Sequence, residues 1–101
     1  MEDEQTHIPN RLEKHRKIMG YTQKDVAFIL GHKNTDRISK WEKGSAVPSV
    51  LNLIKLSVIY RTLMNDFYFD TFQAFRKDIF TKEAQLLTQN KEDSEPIKFL
   101  Y

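Results

Sequence analysis

The 101-residue sequence has no cysteine, one tryptophan, and only three glycines and three prolines. Without cysteine the core cannot depend on a disulfide, and no thiolate can hold a metal; a reducing compartment is compatible with this. His7, His15 and His32 are too scattered to suggest a metal cluster, so no metal is expected. The longest apolar run, around Val58 to Tyr60, is far short of membrane-spanning length, and the acidic start MEDEQ is unlike a secretion signal. No membrane partner is expected, and a cytoplasmic protein is. The chain also lacks paired carboxylates, a nucleophile beside a base, or a glycine-rich phosphate loop at any recognisable spacing. About one small domain fits the length, with no room for a separate catalytic one. The expectation is a protein that is not an enzyme and needs no cofactor.

What is present is charge, unevenly placed. From Ile8 to Gly44 there are nine Lys or Arg against four Asp or Glu, whereas from Ser45 to Tyr101 the count is seven against seven. The net charge of +2 therefore hides a basic N-terminal half, which suits a polyanion; a solvated helical surface would give a similar count.

Apolar residues recur at helical spacing throughout, and no strand-type alternation or internal repeat appears. Asn10 to Met19 reads as a first helix, stopped by Gly20. Thr22 caps a second over Gln23 to Leu30, with Val26, Ala27, Ile29 and Leu30 inward and Gly31 at its end. Asn34 or Thr35 caps a third, running to about Lys43 before Gly44. Pro48 keeps Val47 out of a helix and Ser49 caps a fourth, about Val50 to Tyr60, with Leu53, Ile54, Leu56 and Ile59 in amphipathic array. A short fifth covers Leu63 or Met64 to Tyr68. Phe72, Phe75 and Ile79 then mark a longer helix, their stripe serving either as cover for the fifth helix or as a dimer seam. The expected organisation is a flexible tail over 1–7, a helical domain over 8–68, a helical extension over 69–88 and a loose tail over 89–101.

The second and third helices, joined by a short turn containing glycine, have the layout of a helix-turn-helix. Ala27 is small enough for close approach, Gly31 can take the left-handed conformation, and Ile38 with Trp41 turns one edge of the third helix inward. Thr35, Asp36, Ser39, Lys40 and Lys43 are left close to one outer face. Such a helix fits the DNA major groove, where Lys reaches guanine, Thr a thymine methyl or base edge, and Asp the cytosine amine.

The segments HRKIMGYTQKDVAFILG, RISKWEKG and VPSVLNLIKLSVIY resemble the lambda-repressor-like, Cro/Xre-type helix-turn-helix family. Arg16, Gly20, Thr22, Gln23, Ala27, Gly31, Ile38, Ser39, Trp41, Glu42, Gly44, Pro48 and Leu53 carry the likeness, over roughly Asn10 to Tyr68. The resemblance implies an all-α, five-helix DNA-binding bundle, here with an additional C-terminal helix, acting as a transcriptional regulator on double-stranded DNA. Such proteins usually work as dimers. It further implies base contacts from Thr35, Asp36 and Lys40, phosphate contacts from Gln23, Arg37 and Lys43, and a structural pair between Arg16 and Glu42; Lys33, by its place in the turn, is expected to reach the phosphate backbone as well. Thr35 is either the helix cap or the first reader, and Asp36 either a reader or a helix N-terminal acid. His32 could also approach the backbone from the turn. Two departures stand out: the turn HKNT is one residue longer than the commonest pattern, and Arg61 stands where the family often has glycine.

The function expected is sequence-specific binding by a regulator, repressing by occupying a promoter. The alternative is a protein-interaction adaptor, or an antitoxin, that grips a protein partner through the C-terminal helix.

Overall fold

The computed structural model describes residues 7–90, and among these the only regular elements are helices. They are α1 (Leu12–Ile18), α2 (Gln23–Leu30), α3 (Asp36–Lys43), α4 (Val50–Tyr60), α5 (Met64–Phe67) and α6 (Phe69–Asn90). This is the all-α bundle with one added helix that the sequence led us to expect. The tail regions fall outside the described residues, except His7 and the end of α6, which runs past residue 88 to Asn90.

Local chemistry sets the boundaries. Thr22 closes a capping box on α2: its hydroxyl accepts from the Asp25 amide at 3.0 Å, and its own amide donates to Asp25 Oδ2 at 2.8 Å. Ser49 accepts from the Asn52 amide at 3.2 Å and starts α4. The first helix begins at Leu12, two residues later than its periodicity suggests. Asn10 is the cause: its Oδ1 accepts from the Leu12 amide at 3.0 Å, so its backbone stays outside the helix.

Leu12, Val26, Ala27, Ile38, Trp41, Leu56, Tyr60 and Phe67 form one core, to which α1 through α5 all contribute and α6 does not. Ile29 and Ile54, expected inside, are 48% and 44% exposed. Both lie about 100° or more around their helices from the centre of the buried face, which Val26 and Ala27 mark on α2 and Leu56 and Tyr60 on α4, where Ile54 points nearly the opposite way. Nor does the Phe72, Phe75, Ile79 stripe cover α5, since all three side chains are exposed.

Gly44 ends α3 with φ of +84°, and a side chain there would collide with the backbone of Ile8. That approach lets the Ile8 amide donate to the Gly44 carbonyl at 3.0 Å. Arg61 ends α4 in the same left-handed region, at φ 52° and ψ 49°, the one non-glycine residue with positive φ among those described. The chain closes that turn as glycine would, with the Thr62 amide donating to the Ser57 carbonyl at 3.1 Å.

Candidate nucleic-acid interface

The turn between α2 and α3 starts at Gly31, whose φ of +79° lets the His32 amide donate back to the Ala27 carbonyl at 2.8 Å. The His32 ring then packs edge-on against Trp41, ring centroids 5.8 Å apart, with Nδ1 buried and unbonded. Burial, helped by Arg37 and Lys55, holds this imidazole below the ordinary histidine pKa. His32 is therefore an inward wedge, not an approach to a backbone. Lys33, next to it, is exposed.

Asn34 starts α3 by accepting the Asp36 amide on its Oδ1 at 3.0 Å, while Thr35 makes no side-chain cap bond. The cap is thus Asn34's work, and the Thr35 hydroxyl is left for other contacts. Along α3, Ile38 is 1% and Trp41 5% exposed, and Asp36, Arg37, Lys40 and Lys43 stand in solvent with Ser39 half-buried. Lys24 on the first turn of α2 is also exposed and lines a cleft with Phe28, Lys33 and Thr35. Among the described residues none of Lys24, Lys33, Arg37, Lys40 and Lys43 is drawn into an ion pair. Five unneutralised cations against two nearby exposed acids, Asp25 and Asp36, give this face a positive potential.

Behind the face lies a polar knot. Arg16 donates from Nε to Glu42 Oε2 at 2.6 Å and from Nη2 to Oε1 at 3.1 Å; its Nη1 donates to the Tyr21 carbonyl at 2.9 Å. The bond to Glu42 raises the Arg16 pKa against the opposing effect of burial. Gln23 Nε2 donates to the same Glu42 oxygen, Oε1, at 2.8 Å. The knot ties α1, the start of α2 and the end of α3 to one carboxylate. The sequence resemblance assigned Gln23 to phosphate; here its amide is turned inward, and the α2 N-terminus faces outward with first-turn amides that have no intrahelical acceptor.

A family model described as Helix-turn-helix matches residues 12–66, more than half of the chain. The chain belongs to the Cro/C1-type helix-turn-helix family. Comparison with curated proteins and with solved structures found no match. Membership makes it a DNA-binding helix-turn-helix regulator, and the match covers α1 to α4 entirely and α5 up to Asp66. Among the described residues no helix is long and apolar enough to cross a membrane.

Periodicity missed one contributor to this Cro/C1-type site. Asn10 Nδ2 donates to the carbonyls of Trp41 and Glu42 at 3.1 and 3.3 Å, and His7 Nδ1 to that of Lys43 at 3.1 Å. The Trp41 carbonyl also takes the Gly44 amide at 3.1 Å, whereas those of Glu42 and Lys43, at the end of α3, have no amide in a following helical turn to accept. The segment before α1 thus caps α3 from a distance of thirty or so residues in sequence, a partnership without a local signal.

Proposed function

We propose that the protein is a sequence-specific repressor that lays α3 in the major groove of double-stranded DNA. Thr35, Asp36 and Lys40 touch base edges; Lys33, Arg37 and Lys43 neutralise phosphates, with Gln23 joining through the α2 N-terminus. The observation that carries the reading is the phase of α3: Ile38 and Trp41 hold one edge in the core while the hydrogen-bonding and cationic side chains project outward. Glu42, fastened by Arg16 and Gln23, keeps that edge oriented without touching DNA. Affinity comes from counterion release, so it falls with salt at a log–log slope of about −0.9 per neutralised phosphate.

Selection of bound sequences from a random duplex pool tests this directly. A defined motif is expected, and Lys40→Ala is expected to relax preference at one base pair at a cost of about 1–3 kcal/mol. Equal weakening on every sequence would move Lys40 to the phosphates, and retention of no duplex at low salt would end the proposal. A second reading, an adaptor or antitoxin that grips another protein through α6, draws on the exposed Phe72, Phe75 and Ile79. Removing the residues after Asp70 separates the two, since monomeric DNA binding survives it and partner binding does not.

A further inference from the structure

From Phe72 to Gln89 every side chain of α6 is exposed except half-buried Glu83. The helix is nonetheless two-faced. At 100° per residue, Phe72, Phe75, Ile79, Phe80, Leu86 and Leu87 fall on a face roughly 140° wide, with Lys77, Asp78, Thr81, Gln85 and Thr88 opposite. The core is complete without this stripe. Its six side chains are each about half exposed, which leaves roughly 500 Å² of apolar surface in water, more than single exposed residues account for.

Two charges interrupt the stripe near its midline. Arg76 and Glu83 are one heptad apart and opposite in sign, and Arg76 already leans over the Phe80 ring, 4.9 Å from its centroid. Their placement selects an occupant. We propose that α6 pairs antiparallel with α6 of a second copy of this chain, about a two-fold axis that passes between Ile79 and Phe80.

In that register Arg76 lies level with Glu83 of the second copy, twice over, and Phe72 with Leu87, while Ile79 and Phe80, on opposite flanks of the face, each meet their own counterpart across the axis. Phe75 and Leu86 lie on the same flank of the face and meet within a residue or two. One choice of axis thus makes the face complementary to itself in shape and in charge, as an isologous contact requires. A parallel pairing would set Arg76 against Arg76 and Glu83 against Glu83. The seam runs about 22 Å along the helix and removes on the order of 1,000 Å² from the two copies, the lower bound for a specific contact. The ion pairs set register and direction, and the aromatic and aliphatic side chains supply the attraction. The pairing goes beyond the DNA-reading proposal and is independent of it.

The test is sedimentation of the full-length protein at micromolar concentrations in the absence of DNA, so a failure to bind DNA has no bearing on the outcome. A dimer is expected. Arg76→Glu and Glu83→Arg should each weaken it roughly tenfold, because each turns two attractions into repulsions, and the double variant R76E/E83R should restore it. Circular dichroism checks that all three variants remain helical. Since the chain lacks cysteine, the variant R76C/E83C should oxidise to a covalent dimer whose peptides join position 76 to position 83. A wild-type monomer at about 100 μM, a dimer indifferent to both single charge changes, no recovery in the double variant, or a link from 76 to 76 would each overturn the proposal. So would a dimer that only Ile54→Asp dissolves, which would place the contact on the exposed side of α4.

Discussion

Glu42→Ala probes the polar knot that holds the reading helix. The Glu42 side chain is 6% exposed and that of Arg16 9%, and the carboxylate accepts three hydrogen bonds of 2.6 to 3.1 Å. Truncation leaves the guanidinium charged and buried, with the Tyr21 carbonyl as its close acceptor and the exposed Glu13 carboxylate, 3.8 Å away, as a weak counter-charge. A buried charge stripped of its main partner costs about 3–5 kcal/mol, a large share of the roughly 5–15 kcal/mol that stabilises a small domain. With a urea m-value of about 1–3 kcal/mol/M for a chain of this size, the unfolding midpoint should drop by roughly 2 M. Trp41 is the sole tryptophan and 5% exposed, so its fluorescence reports the transition. Removing both charges, as R16M/E42L, should recover most of the loss, because the desolvation penalty of the pair disappears with it. If the pair orients α3, that folded double variant should still bind DNA less tightly than the parent. A Glu42→Ala loss below about 1 kcal/mol, typical of a solvent-screened pair, would refute the reasoning.

Arg61→Gly should raise stability by about 0.5–1 kcal/mol, since the left-handed conformation strains an arginine and suits glycine; a lower melting temperature would mean that the Arg61 Nη1 bond to the Ile59 carbonyl outweighs the strain. Asn10→Ala should cost about 1–2 kcal/mol in thermal or urea unfolding, because it uncaps both the start of α1 and the end of α3; no measurable change would show that water replaces the amide equally well. The His32 pKa is depressed in the folded state, so the unfolded chain binds the proton more readily. The stability it contributes is complete above the ordinary histidine pKa of 6.5 and is lost as pH falls through the folded value. Urea midpoints measured from neutral pH downward should show that decline, and His32→Phe should flatten it; an unchanged profile would exclude His32 as the source.

The elements legible in the sequence are those whose determinants are neighbours along the chain. Thr22 with Asp25, Ser49 with Asn52, and the left-handed glycines at 31 and 44 all act within a few residues of the helix end that they define. The phase of α3 was legible for the same reason, because Ile38 and Trp41, three apart, leave one solution for which edge goes inside. Where the partner is distant, local spacing carries no signal for it. Asn10 is held outside α1 by the Leu12 amide, but its own amide nitrogen is committed to carbonyls near residue 41, and the Gln23 amide to a carboxylate at 42. Ile29 and Ile54 show a different limit. Both point 100° or more away from the centre of their helix's buried face, so apolar character alone does not bring them inside a small core.

Arg61 separates local preference from the demands of the fold. Of the four helices α1 to α4, two end directly on a left-handed glycine and α4 ends on a left-handed arginine, with the same return bond to a carbonyl five residues back. An arginine does not choose that conformation on its own, at a cost of roughly 1–2 kcal/mol. The geometry is imposed by what lies on either side: Leu56 and Tyr60 are buried on α4, and Phe67 is fully buried on α5, its ring 6.0 Å from that of Tyr60. A chain reversal of fixed size between residues 60 and 64 is the way to bring those side chains together. The burial of Phe67 together with Tyr60 outweighs the strain at one backbone position, since each large apolar side chain buried stabilises by about 1.5–3 kcal/mol. The departure from glycine at 61 therefore leaves the junction of α4 and α5 intact and shows up as stored strain, which is why the glycine variant should gain stability and not merely tolerate the change.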